Sequence, residues 1–226
     1  MLMQVTKQIT PGRAPSVARP FGSVPLFDQM DVMGAPIRYD RNGEIYGEEE
    51  PTGYLYRVSS GAVRICRLLS DGRRQISGFY LPGDVFGLEA DDTHRFSAEA
   101  VVASVITVTS LGAVLRQAER DGELGRQLWN VTANHLARAH EHMLLLGRKS
   151  ASERLATFLM DMRRRSGTSG TIELPMSRND IADYLGLTIE TVSRTFSQLE
   201  LDGLIALPSS RRVVVCDVSA LEDLAA

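Results

Sequence analysis

The stretch MSRNDIADYLGLTIETVSR, residues 176–194, decides how this 226-residue chain is interpreted. Ser177 can cap a short first helix, and Gly186 can end it because glycine tolerates the left-handed backbone conformation. Thr188 can cap a second helix that continues to about Leu201. Two helices joined by a turn of three or four residues that contains glycine are typical of a helix-turn-helix. The stretch therefore predicts that motif in the last quarter of the chain.

A β-hairpin is predicted directly after the second helix. An Asp-Gly pair at 202–203 ends that helix, and two short apolar segments follow at 204–207 and 213–218, around a Pro-Ser-Ser turn at 208–210. Short apolar runs bounded by such turn residues are typical of paired strands. The hairpin would form a wing beside the two helices, so residues 148–226 are expected to form a winged helix-turn-helix domain.

The second helix would expose Glu190, Ser193 and Arg194 on one side, close to its N-terminal end. Recognition helices present this region to base edges in the major groove of DNA. There arginine can donate two hydrogen bonds to guanine, and a carboxylate can accept one from cytosine. The alternative is that Glu190 and Arg194 form an ordinary surface ion pair. Further DNA contacts are expected at the starts of the two helices, from Ser177, Arg178, Thr188 and Thr191.

Asp183 stands at an unusual place in the predicted motif. It lies near the C-terminal end of the first helix, where a negative charge opposes the helix dipole. On one hypothesis its carboxylate repels the phosphates of bound DNA. On the other it points to solvent or pairs with an arginine. The residues alone favour neither hypothesis.

Residues 121–146 predict a long helix that carries two apolar stripes. One stripe can pack on the N-terminal domain while the other pairs with a second copy of the chain. Burial of both stripes within one subunit is the alternative. The segment 111–147 is therefore assigned as a dimerisation helix region. The expected dimer contacts are Leu128, Thr132, Leu136, Ala139, Met143 and Leu146.

Residues 26–110 predict a β-rich domain that resembles a sensor domain. Short alternating apolar runs, such as those at 54–58 and 75–80, are separated by turn signals, which is typical of a β-sandwich or β-roll. The Ser-Asp-Gly sequence at 70–72 predicts a hairpin, because Asp-Gly tolerates the positive φ of tight turns. Residues 1–25 contain four prolines and show no period, so a flexible arm is expected there.

Composition excludes several classes of function. The formal net charge is −3, but basic residues gather in the C-terminal third, and the local field governs DNA binding. No apolar run approaches about 18 residues and the start lacks a secretory signal, so a cytoplasmic location without membrane contact is expected. Cys66 and Cys216 lie far apart, and the only histidine before position 135 is His94. Neither a metal site nor an enzyme active site is predicted.

Two motifs together resemble the Crp/Fnr family of transcription regulators. The first is the stretch at 176–194, and the second is SDGRRQISGFYLPGDVFGLE at 70–89, which is similar to the β-roll signature of that family. The resemblance extends from about Ser23 to the end. It implies an α+β fold: an N-terminal β-roll (a cyclic-nucleotide-binding-like jelly roll), a long dimerisation helix and a C-terminal winged helix-turn-helix. Within the family the chain is most similar to the FixK-like branch, which resemblance implies a TTGAT-N4-ATCAA type palindrome as the target.

Departures from the family pattern indicate what the β-roll lacks. No cysteine precedes Cys66, whereas Fnr proteins ligate an iron–sulfur cluster with N-terminal cysteines. Members that bind cyclic AMP hold its phosphate with Gly-Glu and Arg-Ser pairs, and the corresponding places here are Gly-Leu at 87–88 and Phe-Ser at 96–97. An anionic nucleotide would therefore lack its charged partners, although Arg95 lies one residue away. No cofactor is expected. The alternative is a ligand-dependent regulator whose β-roll senses an unidentified metabolite or nucleotide.

The resemblance also implies partners for a homodimer bound to double-stranded DNA. An activator would touch RNA polymerase, and the candidate contacts are Asp71, Gly72 and Arg73 in the predicted hairpin. The final Leu-Ala-Ala at 224–226 resembles the end of the tag that bacterial Clp-type proteases recognise. A plain helical tail is the alternative interpretation of that segment.

Overall fold

The computed structural model describes residues 34–167 and 170–226. The predicted flexible arm at 1–25 lies outside the described residues. The described part consists of a β-roll, a long helix and a C-terminal domain of helices with a small sheet. The predicted α+β architecture is confirmed.

The N-terminal domain contains two four-stranded antiparallel sheets, with strand orders β1-β8-β3-β6 and β2-β7-β4-β5. The strands are β1 Ala35–Tyr39, β2 Glu44–Tyr46, β3 Tyr54–Ser60, β4 Val63–Leu68, β5 Arg74–Tyr80, β6 Val85–Phe86, β7 Ser97–Ala100 and β8 Ser104–Ser110. Side chains from both sheets share one core, because alternate residues of each strand face inward. That core contains Tyr46, Tyr56, Val58, Val63, Phe86 and Ile106. The predicted hairpin joins β4 to β5, and Gly72 in its turn has a φ of 83°.

Two helices follow the β-roll: α1 (Leu111–Ala118) and the long α2 (Gly122–Arg148). The side chain of Asp121 caps α2 by accepting hydrogen bonds from two backbone amides of the first turn. One stripe of α2 packs on the β-roll and α1. The buried residues of this contact are Leu55, Val85, Val114, Leu124, Leu128 and Val131.

The C-terminal domain begins at a short connection after α2. Its elements are α3 Ala151–Ser166, β9 Thr171–Glu173, α4 Arg178–Leu185, α5 Ile189–Leu201, β10 Ile205–Ser209, β11 Arg212–Val215 and α6 Val218–Ala225. The hairpin β10–β11 follows α5 where the sequence predicts a wing, and β9 adds a third strand, so the sheet order is β10-β11-β9. Strand β9 was not predicted from the sequence, because it has only three residues. Its Ile172 lies in the same core as Phe158 and Phe196.

Capping residues fix the helix boundaries around the motif. The pair Ser177 and Asp180 forms a reciprocal capping box at α4, and Thr188 caps α5 by accepting a hydrogen bond from the amide of Thr191 at 3.2 Å. Between the two helices, Gly186 ends α4 with φ 63° and ψ 39°, the left-handed conformation that glycine adopts without a steric penalty. The turn geometry predicted from the sequence is therefore present.

Two features are absent from the described ranges, 34–167 and 170–226: a membrane-spanning helix and a cluster of metal ligands. No helix there is long and apolar enough to cross a membrane. No group of three or more His, Cys, Asp or Glu side chains there is arranged to hold a metal ion.

Candidate nucleic-acid interface

The helix α5 is anchored by one face and free on the other. Its residues Val192, Phe196 and Leu199 are buried in the domain core. Glu190, Ser193 and Arg194 are exposed on the opposite side, as predicted. Among the described residues, the charge of Arg194 acts on the Glu190 carboxylate without a salt bridge between the two side chains. This face is therefore available to a ligand that meets it from solvent.

The charge on Glu190 is maintained at neutral pH. A hydrogen bond with its own backbone amide and one with the Thr188 side chain lower the pKa of Glu190, and the charge of Arg194 lowers it further. An ionised carboxylate accepts hydrogen bonds only. At this position it therefore suits a donor such as the exocyclic amine of cytosine.

The hydroxyl groups at the two helix starts are engaged in capping. Ser177 Oγ donates to Asp180 Oδ2 at 2.7 Å, and Thr188 Oγ1 lies 3.1 Å from Thr191 Oγ1. Thr188 is exposed, so the start of α5 presents the positive end of its helix dipole to solvent, whereas the buried Asp180 carboxylate lies at the start of α4. Anions such as phosphates bind at such positions.

Arg178 is placed differently from the expectation of a DNA contact. Its guanidinium carbon lies 3.1 Å from the centre of the Phe196 ring, in a cation–π contact. Burial lowers the pKa of Arg178 to about 10. Within the described residues, its Nη1 atom has no hydrogen-bond partner. The side chain would have to turn outward to reach a phosphate, so its role in DNA binding stays a prediction.

Asp183 pairs with an arginine of the β-roll. Arg74 donates from Nε to Asp183 Oδ2 at 2.9 Å, and its Nη2 lies 2.8 Å from the same oxygen. Asn179 also donates to this carboxylate at 3.3 Å. The structure therefore favours the ion-pair hypothesis over the repulsion of phosphate, although the partner is remote in sequence.

The outward stripe of α2 is apolar and exposed. Leu136 is 57% exposed and Met143 is 63% exposed, and Thr132 and Ala139 lie on the same side. Trp129 begins the same apolar stripe in the sequence, although it was not named among the expected dimer contacts, and it is 71% exposed. Its spacing of seven residues from Leu136, repeated to Met143, is a heptad spacing typical of a helix–helix contact.

Two predicted dimer contacts lie elsewhere. Leu128 is buried against the β-roll in its own subunit, so it belongs to the inward stripe. Leu146 is half-buried beside the C-terminal domain, where its side chain lies close to Gly186. Leu128 was expected to be a dimer contact, but in this structure it faces the β-roll of its own subunit, because the position of the β-roll determines which side of the helix is covered.

An open cleft of about 1120 Å³ lies between the β-roll, α2 and the C-terminal domain. Leu88 and Phe96 line it at the two places where a nucleotide phosphate would need charged partners. The nearby charges are already paired: Arg95 Nε lies 2.5 Å from Asp91, and Glu89 lies 2.7 Å from His94 Nδ1. The cleft therefore offers an anion little unpaired charge at these two places.

The turn between β4 and β5 projects into solvent. Asp71, Gly72 and Arg73 are exposed at its tip, where Arg73 and Asp71 form a salt bridge of 2.7 Å. Leu68, which is 68% exposed, lies beside the tip. These residues are accessible from solvent, and their contact with RNA polymerase stays a prediction.

His142 of α2 contacts the first helix of the helix-turn-helix. Its Nε2 lies 2.8 Å from the carbonyl oxygen of Tyr184, and the two rings stack with centres 4.2 Å apart. Burial lowers the pKa of His142, against the opposing effect of the hydrogen bond to that carbonyl. In the unfolded chain His142 has the ordinary histidine pKa of about 6.5. Neutral His142 therefore contributes fully to the free energy of unfolding above about pH 6.5. This contribution is lost as the pH falls through the lower pKa of the folded protein.

We expect the melting temperature to fall between about pH 7.5 and about pH 5.5. His142→Gln keeps a nitrogen donor for the Tyr184 carbonyl but cannot be protonated, so its melting temperature should depend less on pH. The control is His140→Gln, a change of an exposed histidine on the same helix. Thermal unfolding of the three proteins across this range measures the effect. Equal slopes for His142→Gln and wild type would contradict the assignment.

Comparisons with known proteins agree with this geometry. A model of the Crp-like helix-turn-helix domain matches residues 153–224, and a model of the cyclic nucleotide-binding domain matches residues 36–121. The nitrogen fixation regulation protein FixK of Azorhizobium caulinodans is 51% identical over 197 residues, which cover 85% of this chain and 79% of that protein. The chain belongs to the Crp/Fnr family. Crp/Fnr regulators bind DNA and act as dimers.

Further relatives place this Crp/Fnr protein close to FixK regulators. FixK of Rhizobium meliloti is 47% identical, over 82% of this chain and 85% of that protein. The solved structure of FixK2 from Bradyrhizobium japonicum superimposes with a TM-score of 0.82 at 49% identity, over 85% of this chain and 98% of that one. The family predicted from the two motifs is thus confirmed. The relatives are transcription regulators, which are not enzymes.

Proposed function

We propose that this Crp/Fnr protein is a cytoplasmic, homodimeric transcription activator that recognises a TTGAT-N4-ATCAA type palindrome without a bound effector. The observation that carries the proposal is the exposed face of α5. Glu190, Ser193 and Arg194 point to solvent there, while the opposite face of the helix is fixed in the core. A rigid helix with three polar side chains on one side suits the major groove.

Each of these side chains has a role that its chemistry supports. Arg194 donates two hydrogen bonds to the guanine of the half-site, and the Glu190 carboxylate accepts one from the amine of the paired cytosine. Ser193 lies between them and reaches a neighbouring base or phosphate. The starts of α4 and α5, at Ser177 and Thr188, face the phosphate backbone and orient the motif without reading sequence.

A dimer supplies a second recognition helix for the second half-site of the palindrome. The heptad stripe of Trp129, Leu136 and Met143 pairs with its copy in the other subunit, and this removes three large apolar side chains from water. The two half-sites of the palindrome lie about one helical turn apart on one face of the duplex. A two-fold axis along the paired α2 helices relates the two recognition helices in the same way.

The proposal predicts binding without cyclic nucleotide and without iron. Leu88 and Phe96 replace the charged partners that a phosphate needs, so cyclic AMP should add no affinity. The direct measurement is fluorescence anisotropy of a labelled palindromic duplex with purified protein, with and without cyclic AMP. A duplex in which the guanine of each half-site is changed is the specificity control. A marked rise in affinity with cyclic AMP, or an iron–sulfur absorbance after anaerobic purification, would contradict effector-free action.

The cleft supports a second candidate function, a regulator that depends on a small ligand. Its volume of about 1120 Å³ exceeds that of most ligand pockets, and Arg138 and His135 of α2 line it beside Tyr80. A native mass spectrum of the purified dimer separates the two functions. A retained small molecule, together with loss of DNA binding after its removal, would favour the ligand-dependent regulator.

Two further partners belong to the proposal. RNA polymerase would contact the exposed tip formed by Asp71, Gly72 and Arg73. A Clp-type protease would recognise residues 224–226. In the structure, however, Leu221 of α6 is buried, and Lys149 Nζ donates a hydrogen bond to the carbonyl of Ala225. Protease recognition would therefore require α6 to leave the domain first.

A further inference from the structure

A cluster of five charged residues joins the β-roll to the helix-turn-helix. Arg64 on β4, Arg74 on β5 and Glu99 on β7 come from one sheet, and Asp180 and Asp183 come from α4. Glu99 lies 2.5 Å from an Arg64 nitrogen, and Arg74 Nη2 lies 2.6 Å from Asp180 and 2.8 Å from Asp183. Asp180 is 106 residues from Arg74 and 116 residues from Arg64 in the sequence. The contact is therefore tertiary and joins two domains.

The carboxylate of Asp180 does two tasks with its two oxygens. Its Oδ2 accepts hydrogen bonds from the Ser177 amide at 3.0 Å and the Ser177 hydroxyl at 2.7 Å, which caps α4. Its Oδ1 accepts from Arg64 at 3.1 Å and from Arg74 at 2.6 Å. The side chains of Asp180 and Arg64 are 6% and 7% exposed, so water competes little for these bonds.

The ionisation of Asp180 is secured within this cluster. Burial alone would raise the pKa of Asp180, but the hydrogen bonds from Ser177 and the charges of Arg64 and Arg74 outweigh burial and lower it. The carboxylate is therefore charged at neutral pH. A charged and buried group of this kind is stable only while its partners stay in place.

Aromatic packing fixes the other end of α4. The ring of Tyr184 stacks on His142 of α2 and lies 5.4 Å from Phe79 of β5 and 5.8 Å from Phe158 of α3, between ring centres. Salt bridges thus hold the start of α4, and aromatic contacts hold its end. In this arrangement Glu190 on α5 stays exposed.

We propose that Arg64 and Arg74 of the β-roll are positioning residues for DNA binding, which act through Asp180 and Asp183 to fix the orientation of the helix-turn-helix. The inference rests on the proposed DNA-binding function and deepens it. The C-terminal domain follows α2 after a short connection at 149–150 and shares an apolar core with the β-roll, and the charged cluster adds a directional contact at the start of α4. Apparent affinity falls in proportion to the fraction of molecules in the competent orientation. The cluster keeps that fraction high without a ligand.

Charge reversal tests the inference. Arg74→Glu places a fourth carboxylate among Glu99, Asp180 and Asp183, and we expect it to weaken binding to the palindrome by about tenfold or more. The double variant Arg74→Glu/Asp183→Arg restores an opposite pair, and we expect affinity within about threefold of wild type. Asp183→Asn is a milder variant, to be used if Arg74→Glu unfolds. Asp183→Asn should weaken binding to the palindrome less than Arg74→Glu does. If Asp183 instead repels phosphate, the Asp183→Asn protein should bind the palindrome more tightly than wild type.

The matched control is Arg67→Glu, which makes the same charge change in the same hairpin. Arg67 is half exposed, and its partner Glu48, at 2.7 Å, lies within the β-roll itself. General repulsion between an added negative charge and DNA would affect both variants. A positioning role requires the loss with Arg74→Glu to exceed the loss with Arg67→Glu.

A spectroscopic readout separates position from affinity. The chain has two cysteines, of which Cys66 is buried and Cys216 is exposed in the C-terminal domain. A spin label on Cys216 of each subunit reports the distance between the two C-terminal domains of a dimer. Wild type, Arg67→Glu and the double variant should give one narrow distance distribution, and Arg74→Glu should give a broad one.

The outcomes separate this inference from the proposed function. If folded wild-type protein does not bind the palindrome, the proposed function fails and the inference falls with it. If wild type binds but Arg74→Glu matches Arg67→Glu in both affinity and distance distribution, the inference alone is overturned. Failure of the double variant to recover both properties would also overturn it, because a merely structural defect is not repaired by a second charge change.

Discussion

Leu136→Glu and Met143→Glu are each expected to convert the dimer into monomers and to lower affinity for the palindrome by on the order of a hundredfold or more. Both side chains are more than half exposed in the single chain and lie on the heptad stripe of α2. In a dimer the new carboxylate would be buried at the seam without a partner, which is strongly unfavourable. Sedimentation velocity gives the oligomeric state, and anisotropy with the labelled duplex gives the affinity.

The chain offers a matched control on the same helix. Leu144 is 60% exposed, and as the neighbour of Met143 it is rotated by about 100° around the helix, away from the stripe. Leu144→Glu should leave the dimer intact and bind DNA as wild type does. Intact dimers for both Leu136→Glu and Met143→Glu would show that the subunits meet elsewhere.

Arg194→Ala is expected to remove discrimination at the guanine of each half-site. A bidentate arginine–guanine contact contributes about 1–3 kcal/mol of discrimination against the wrong base, and the palindrome contains one in each half. Wild type should therefore bind the palindrome much more tightly than a guanine-substituted duplex, and the variant should bind both alike. Competition gel shifts with the two duplexes measure the ratio.

Loss of one positive charge must be distinguished from loss of the base contact. Arg164→Ala removes the same charge from an exposed arginine of α3 that pairs with Asp161 at 2.6 Å. This change should weaken binding to both duplexes equally, if at all. A variant Arg194→Ala that still prefers the intact palindrome would refute the assigned role.

Local chemistry made the motif predictable. Ser177, Thr188 and Gly186 act through hydrogen bonds and backbone conformations that span only a few residues, so their effect is visible in the sequence. The same is true of the capping box at Ser150 and Glu153. The family resemblance added the order of the domains, which periodicity alone would have left open.

Long-range contacts were not predictable in the same way. The sequence could not show that Arg74 meets Asp183, because the pair depends on how two domains pack after each has folded. For the same reason Leu128 was expected to be a dimer contact although it faces the β-roll, and Arg178 was expected to contact DNA although its side chain lies on Phe196. In each case the side chain has two plausible directions, and only tertiary packing selects one.

The third strand of the wing has a consequence for how the C-terminal domain folds. Strand β9 precedes the two helices and pairs with β11 after them, with Ile172 opposite Val213. The helix-turn-helix is therefore enclosed in a chain loop whose ends are hydrogen-bonded to each other, and closing such a loop raises the contact order. Motif and wing consequently form one cooperative unit rather than a stable core with a detachable hairpin. Their backbone amides should exchange with deuterium together, at the rate set by opening of the whole unit.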